Sequence, residues 1–290
     1  MLSLFLVLAI DPMQLSIGDQ NKFDVFVGKN YDSKTEKTVE IDEIANAAKP
    51  FRWVFVGESH DNPDAHKIQA QVIAALVKAG RKVVVGMEMY TRPIQPVLNE
   101  WSTGNMTEEE FIKKSEWKTQ WGFEYSLYKP IFDVVKDNKL SLVGLNVPRD
   151  WVRTVSRQGW DSLPQEAKDQ LPQLFLDNKE HRILFEALIG AEHPLGAAAD
   201  GMYRGQVLWD EGMADTAIKW MQINGQDPKT VFVVIAGNGH VMYRQGINYR
   251  IERRLKEKGI TIVPADIEGE KVTVVGGLGD YVVGVPAVKR

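Results

Sequence analysis

The segment Val54–His66 reads VFVGESHDNPDAH and predicts both the fold and the place of a site. It continues a short apolar, β-branched run from Trp53, which is typical of a buried strand. Asn62 and Pro63 predict a helix start, because Asn is a favoured N-cap and Pro suits the first helical position. Residues 57–61 therefore lie between the C-terminal end of a strand and a helix N-terminus. Open parallel α/β sheets bind their ligands at such turns.

The composition excludes several classes of function. The chain has 290 residues and a net charge of -4 with no basic block, so we expect no nucleic acid partner. It contains no cysteine, which excludes a thiolate nucleophile, a Cys-based zinc site, an iron–sulfur cluster and disulfides.

The N-terminal run Met1–Ile10, MLSLFLVLAI, has the length of a signal-peptide core but is too short to span a bilayer. It lacks a preceding Lys or Arg and a clear cleavage site. We therefore expect residues 1–19 to be either the remnant of an export signal or an N-terminal strand.

Strand and helix signals alternate along the rest of the chain, which predicts an α/β fold with a mainly parallel β-sheet flanked by helices. After 53–56, core strands are predicted at 82–85, 140–145 and 231–235. We expect a single domain over residues 20–290. Helical signals at about 91–139 and 150–225 predict an inserted cap subdomain over the C-terminal ends of the strands. Residues 271–285 alternate around a Gly-rich turn and predict a C-terminal β-hairpin.

Polar side chains follow each of the four predicted core strands, and in a parallel sheet these strand ends share one edge. They are Glu58 and His60, Glu88, Asn146 and Arg149, and Asn238 and His240. A lone His or Glu at a strand end is usually a turn or capping residue, so the prediction of a site depends on the convergence of all four strands.

This convergence leaves two kinds of chemistry open. His60, Glu88 and His240 could bind a divalent metal ion, or one carboxylate, such as Glu58, could act as a general base. Arg149 suits a bidentate contact with a carboxylate or a phosphate. On the long predicted helix 202–221, Asp210 and Glu211 are either surface acids or reach the site from above.

Five short motifs in this order resemble the ChaN family of haem-binding proteins, and the resemblance extends over residues 30–265. They are GESHDNP at 57–63, GMEM at 86–89, LNVPR at 145–149, WDEGMA at 209–214 and AGNGHV at 236–241. That family belongs to a wider group with Tiki/TraB proteins and erythromycin-esterase-like enzymes. The group's pattern of two Gly-x-x-His motifs and a glutamate matches 57–60, 237–240 and Glu88.

The resemblance implies a haem-binding protein that serves haem or iron uptake. It also implies a homodimer in the bacterial cell envelope or periplasm, with outer-membrane haem or iron uptake machinery as a partner. A haem needs an axial His, Tyr or Met and an apolar slot. The candidate ligands are Tyr243, His193, Tyr203 and His240, with Arg149 near the propionates.

The resemblance to Tiki proteins and esterases implies an alternative, a metal-dependent hydrolase that cleaves peptides or esters. In that hypothesis His60, Glu88 and His240 hold a divalent ion and Glu58 activates water. A third hypothesis is an interaction module in which the same residues are structural.

Overall fold

The computed structural model describes residues 11–17, 20–190 and 196–289. The strands in this part of the chain are β1 (Lys22–Phe26), β2 (Asn30–Asp32), β3 (Lys37–Thr38), β4 (Trp53–Val56), β5 (Lys82–Thr91), β6 (Ser141–Asn146), β7 (Thr230–Ile235), β8 (Ile260–Ile267), β9 (Lys271–Val275) and β10 (Tyr281–Pro286). The main sheet has eight strands in the order β3-β2-β10-β8-β4-β7-β5-β6, while β1 and β9 form a separate pair.

Six neighbouring strands of the main sheet, from β10 to β6, run parallel. The edge strands β2 and β3 run antiparallel. Every residue of β4 and β7 is buried, as expected where helices cover both faces of a parallel sheet. The predicted α/β fold with a mainly parallel sheet is therefore confirmed.

The α-helices of the described residues connect these strands. They are α1 (Ile41–Ala47), α2 (Pro63–Lys78), α3 (Gln95–Ser102), α4 (Glu108–Lys114), α5 (Trp117–Gln120), α6 (Tyr125–Asp137), α7 (Arg149–Gln158), α8 (Gln165–Gln170), α9 (Lys179–Ile189), α10 (Ala197–Asn224) and α11 (Ile247–Leu255). None of them combines the length and apolarity that crossing a bilayer requires.

Helix α2 begins as its sequence predicts. The Asn62 side chain caps it by accepting hydrogen bonds from Asp64 N at 2.9 Å and Ala65 N at 3.4 Å. Pro63 occupies the first turn, where its missing N–H removes no helical hydrogen bond. The cap fixes the end of the turn that carries the first Gly-x-x-His motif.

The two faces of the sheet have separate cores. In β4, Val54 and Val56 pack with α1, α2, α3 and α6, whereas Trp53 and Phe55 pack with α10 and α11. The segments predicted as a cap are therefore divided. Helix α6 and the C-terminal half of α10 cover the sheet faces, while α5, α7, α9 and the N-terminal half of α10 contribute side chains at the carboxyl edge.

The predicted C-terminal hairpin at 271–285 is wrong. Strand β9 pairs with β1, and β10 pairs with β8 and β2 instead. The turn between them carries the chain from the small sheet to the main one, and Asp280 fixes it by accepting from Thr261 N at 2.8 Å. Alternation predicts that a strand has two different faces, but it does not identify the neighbour.

The N-terminal prediction is only partly within the described residues. Met1–Ile10, Gly18 and Asp19 lie outside them. Residues Pro12–Gln14 form a single 3-10 turn.

Helices α10 and α11 are joined by a buried ionic cluster around Glu211, which is fully buried. Its carboxylate lies 2.9 Å from Arg253 Nη2 and 3.6 Å from Arg250 Nε, and it also contacts Arg254. The sequence left open whether Glu211 is a surface acid or reaches the site. It is instead buried and anchors α10 to α11.

We predict that Glu211→Gln lowers the free energy of unfolding by about 3 kcal/mol, because it leaves buried guanidinium groups without their anion. Chemical denaturation measures the change. The control is Glu252→Gln, whose partly exposed pair with Lys258 at 3.7 Å should change stability by less than about 1 kcal/mol. Equal effects of the two substitutions would contradict a structural role for the cluster.

Candidate functional site

Strands β4 and β7 end level with each other at the centre of the sheet, and the neighbouring β5 passes the same level at Met87 before it ends at Thr91. Val56 of β4 is paired with Ile235 of β7, and Ile235 is paired with Met87 of β5. The two Gly-x-x-His motifs, 57–60 and 237–240, and Glu88 follow directly from this aligned row. The register of the sheet thus brings together residues from three distant parts of the chain.

The glycines of the two motifs permit their close approach. A Cβ on Gly57 would lie 2.1 Å from Oδ1 of Asn238, and a Cβ on Gly237 would lie 2.7 Å from Cε1 of His60. Real Cβ contacts are never so short, so any side chain would force the motifs apart. Packing between the two turns therefore explains why both positions hold glycine.

His60 is supported by a buried carboxylate. Its Nδ1 lies 2.6 Å from Oε1 of Glu58, a residue that is 2% exposed. The second oxygen of Glu58 lies 2.9 Å from Nδ1 of the fully buried His66. The Tyr128 hydroxyl donates to Glu58 at 3.2 Å. This shell fixes the orientation of the His60 ring.

His240 is held in the same way from the other side. Its Nδ1 lies 2.6 Å from Oδ1 of Asp210, which reaches the site from helix α10 and is fully buried. The other Asp210 oxygen lies 3.0 Å from Nε2 of His181 and 3.5 Å from Nη1 of Arg250. Each histidine of the two motifs thus rests on a carboxylate that a second, buried histidine also contacts.

Glu88 lies between the two motifs. One of its oxygens accepts a hydrogen bond from Gly237 N at 2.8 Å, and the other lies 3.3 Å from Nε2 of His240. Both nitrogens of His240 are therefore paired with carboxylates, and its side chain is only 9% exposed. The His60 side chain is 37% exposed.

These contacts set the charges of the site. Burial alone lowers the pKa of His240, but Glu88 and Asp210 outweigh it and raise this pKa to about 10. Burial alone raises the pKa of Glu88, but the charges of His240 and His60 and a hydrogen bond lower it to about 2. Asp210 also keeps a pKa below its usual range, because Arg250 and His240 overcome its burial. His240 is therefore an imidazolium between two carboxylates at neutral pH.

The first pair shows the same balance. Burial alone raises the pKa of Glu58, but hydrogen bonds from His60 and His66 bring it below its usual value. Burial alone lowers the pKa of His60, but the hydrogen bond and charge of Glu58 raise it. The ring of His60 thus holds a proton more readily than a free imidazole.

A cleft opens above these residues. It consists of two adjoining cavities of about 640 Å³ each, which share His60, Phe123, Gln206 and His240 in their walls. The His60 ring packs against two aromatic side chains that also contact each other. Its centroid lies 4.8 Å from that of Trp121 and 5.4 Å from that of Phe123, and the Trp121 and Phe123 centroids are 5.8 Å apart. The larger apolar side chains of the first cavity are Met89, Trp121, Phe123, Val152 and Trp209.

Comparisons with known proteins identify the family and related folds. A sequence model of the family described as "Haem-binding uptake, Tiki superfamily, ChaN" matches residues 44–251. The chain belongs to this family. A search of curated proteins found no match.

Solved structures share the fold. The chain is similar to a ChaN of Campylobacter jejuni with cofacially bound haem, with 17% identity, a TM-score of 0.67, and coverage of 89% of this chain and 96% of that one. It is also similar to a mutant of the erythromycin esterase EreC in its open conformation, with 12% identity, a TM-score of 0.50, and coverage of 91% and 98%.

The ChaN-family fold brings the four residues predicted as catalytic, Glu58, His60, Glu88 and His240, to one place. Arg149 lies in the wall of the cleft, and its guanidinium donates to the backbone oxygen of Gln120. The sequence left open whether Asp210 is a surface acid or reaches the site, and the structure places its carboxylate against His240.

The predicted tyrosine ligands lie elsewhere. The Tyr243 hydroxyl donates to Pro12 O at 2.8 Å and accepts from Leu15 N at 3.1 Å, within a separate hydrophobic cluster. The Tyr203 hydroxyl donates to Asn178 O at 3.2 Å and is buried behind His181. Neither lines the cleft cavities. His193 lies outside the described residues.

The metal site predicted at His60, Glu88 and His240 stays a prediction. In the described part of the chain, no group of three or more His, Asp or Glu side chains is arranged to hold an ion. His60, Glu88 and His240 are close together, and the Nε2 of His240 lies 3.3 Å from an oxygen of Glu88.

Several site residues escaped the sequence analysis. His66 lies on helix α2 and His181 on helix α9, and no motif spacing relates either to the carboxylate that it contacts. Arg250 lies directly before Ile251 of α11 and resembles any surface arginine in the sequence. Arg153 and Arg157 could have been found, because they follow Arg149 at four-residue intervals and this spacing places all three on one face of a helix.

We predict that the His240 ring stays protonated across the physiological pH range, where an ordinary histidine titrates. Assigned imidazole NMR signals test this, with His240→Gln for assignment. The pKa of His240 is higher in the folded than in the unfolded protein. The stabilisation of the fold by protonated His240 is therefore complete below the pKa of the unfolded state and is lost as the pH rises towards about 10. Asp210→Asn should lower the midpoint by about 1–3 pH units. A wild-type midpoint near 6.5 would contradict the charge assignment.

Proposed function

We propose that this ChaN-family protein binds haem in the cleft at the carboxyl edge of the sheet and carries it as cargo. The observation that carries the proposal is the partly exposed His60 imidazole, which packs against the Trp121 and Phe123 rings and is paired with the buried Glu58 carboxylate. The family match, which covers most of the chain, supports the same ligand.

The residues of the cleft fit a haem. Haem iron needs an axial side chain and the porphyrin needs an apolar slot, which Trp121, Phe123 and Trp209 provide. The volume of the cavities lies within the range of small-molecule sites. When bound, haem supplies an iron that accepts a neutral imidazole as a ligand.

His60 is the imidazole that is placed to ligate the iron. Its Nδ1 contacts Glu58, and in the described part of the chain its Nε2 has no hydrogen-bond partner. A carboxylate on the far nitrogen fixes the tautomer and increases the basicity of the ligating nitrogen. His240 is less suitable because both of its nitrogens are paired with carboxylates. His60 would have to release its Nε2 proton before that nitrogen could ligate an iron, so acid should weaken binding.

We further propose that haem binding serves haem or iron uptake in the cell envelope or periplasm. The family description, which names uptake, supports this role. The homodimer and the outer-membrane uptake partner stay predictions from the resemblance.

We predict that hemin gives a saturable Soret shift with the wild-type protein, and that His60→Ala weakens the affinity at least about tenfold, or 1.4 kcal/mol. Absorbance titration measures both. Tyr243→Phe is the matched control, because it removes another possible ligand outside the cleft and should leave the affinity unchanged. Loss of binding in Tyr243→Phe alone would overturn the choice of ligand, and no saturable shift in the wild type would overturn haem binding.

The two carboxylate–imidazole pairs favour a second candidate function, the hydrolysis of an ester or a peptide. His60, backed by Glu58, is placed to take a proton from water, and the His240 imidazolium can stabilise developing negative charge. This version of the hydrolase hypothesis needs no metal cluster.

Chromogenic esters test this second candidate. If the pairs catalyse hydrolysis, Glu58→Gln should lower the rate about 100-fold or more, because the base loses its orienting carboxylate. Glu257→Gln, which changes a carboxylate far from the cleft, should leave the rate unchanged. A wild-type rate equal to that of buffer would exclude ester hydrolysis.

A further inference from the structure

Helix α7 carries three arginines at four-residue intervals, Arg149, Arg153 and Arg157. Side chains four apart on an α-helix lie on one face, so the three form a stripe along the helix. All three are exposed, and all three line the first cavity of the cleft. We call them the arginine stripe.

The stripe is held in place by the packing of α7 on α10. Ser156 lies directly against two glycines of α10, since a Cβ on Gly205 would be 2.2 Å from its Oγ and one on Gly201 would be 2.3 Å from its backbone oxygen. Val152 and Val155 are also buried on this side. Helix α7 therefore cannot roll to turn its arginines away from the cleft without losing this contact.

The arginines have little internal compensation. Arg153 pairs with Asp150 at 3.0 Å, but the two side chains are 60% and 85% exposed, and such surface pairs contribute little. Arg149 donates to a backbone oxygen. Arg157 makes no hydrogen bond or ion pair within the described residues. Its guanidinium is thus available to a ligand.

The cavity beside the stripe lacks a balancing anion. Of the described residues in its wall, Glu88 is the one acid, and its carboxylate is already occupied by His240 and Gly237 N. This side of the cleft therefore has a positive potential, while the aromatic side chains beside it are neutral. Such a combination suits a flat apolar ligand with anionic groups at one edge.

We propose that the arginine stripe binds the carboxylates of the ligand, so that the site accepts planar tetrapyrroles with free propionate groups. The inference deepens the proposed haem-binding function and depends on it. Guanidinium groups bind carboxylates through paired hydrogen bonds, and three of them along a helix can hold two propionates. Because these contacts do not involve iron, metal-free protoporphyrin is a ligand of the same class.

The test compares three ligands: hemin, its dimethyl ester and protoporphyrin IX. Each is titrated into the full chain, with quenching of tryptophan fluorescence as the signal, since Trp121 and Trp209 line the cavity. The variant is Arg153→Gln/Arg157→Gln. The matched control is Lys113→Gln/Lys118→Gln, which removes two exposed positive charges outside the cleft.

The wild type should bind hemin and protoporphyrin IX at least tenfold more tightly than the dimethyl ester. The double arginine variant should lose this preference and bind hemin at least tenfold more weakly, while the lysine control resembles the wild type. Equal affinities of the wild type for hemin and its ester, or an unchanged double arginine variant, would overturn the role of the stripe and leave haem binding intact. No binding of hemin by the wild type would overturn the proposed function and this inference together.

Discussion

The architecture of the site depends on the register of three parallel strands. Val56, Ile235 and Met87 form one row across β4, β7 and β5, and within two residues after that row each chain segment reaches Glu88 or the first glycine of a Gly-x-x-His motif. A slip of one residue would reverse the faces of a strand and remove its side chains from the edge. Burial on both faces of the sheet prevents such a slip, because the three residues of the row belong to one hydrophobic core, while Phe55 and Val234, which precede it in β4 and β7, belong to the other.

The carboxylates that are buried around this edge are paired with cationic or imidazole groups. Glu58, Asp210 and Glu211 are at most 2% exposed, and each contacts at least two cationic or imidazole groups. An unpaired buried carboxylate would cost several kcal/mol. The same pairs hold His60 and His240 in fixed orientations, so the stability of the edge and the chemistry of the cleft come from one set of contacts. His60 keeps one nitrogen for a ligand, whereas His240 keeps none.

The sequence predicted the sheet and the convergence of His60, Glu88 and His240 because these follow from local signals, namely apolar runs, caps and turns. It failed where the partner lies far along the chain. The strand at 271–275 alternates like a hairpin arm but pairs with β1, and His181 reaches Asp210 only because α9 packs beside α10. Tyr243 follows the second motif by three residues, yet the turn directs its hydroxyl to the N-terminal segment. Sequence spacing alone contains no information on these contacts.

The most direct test of this account is the position of the iron in crystals of the protein with hemin, located by its anomalous scattering. The account predicts one iron site in the cleft, within coordination distance of His60 Nε2, with the porphyrin against Trp121 and Phe123 and its propionates on the arginine stripe. Iron bound at Tyr243 or Tyr203, or at any place outside the cleft while His60 remains unligated, would contradict it.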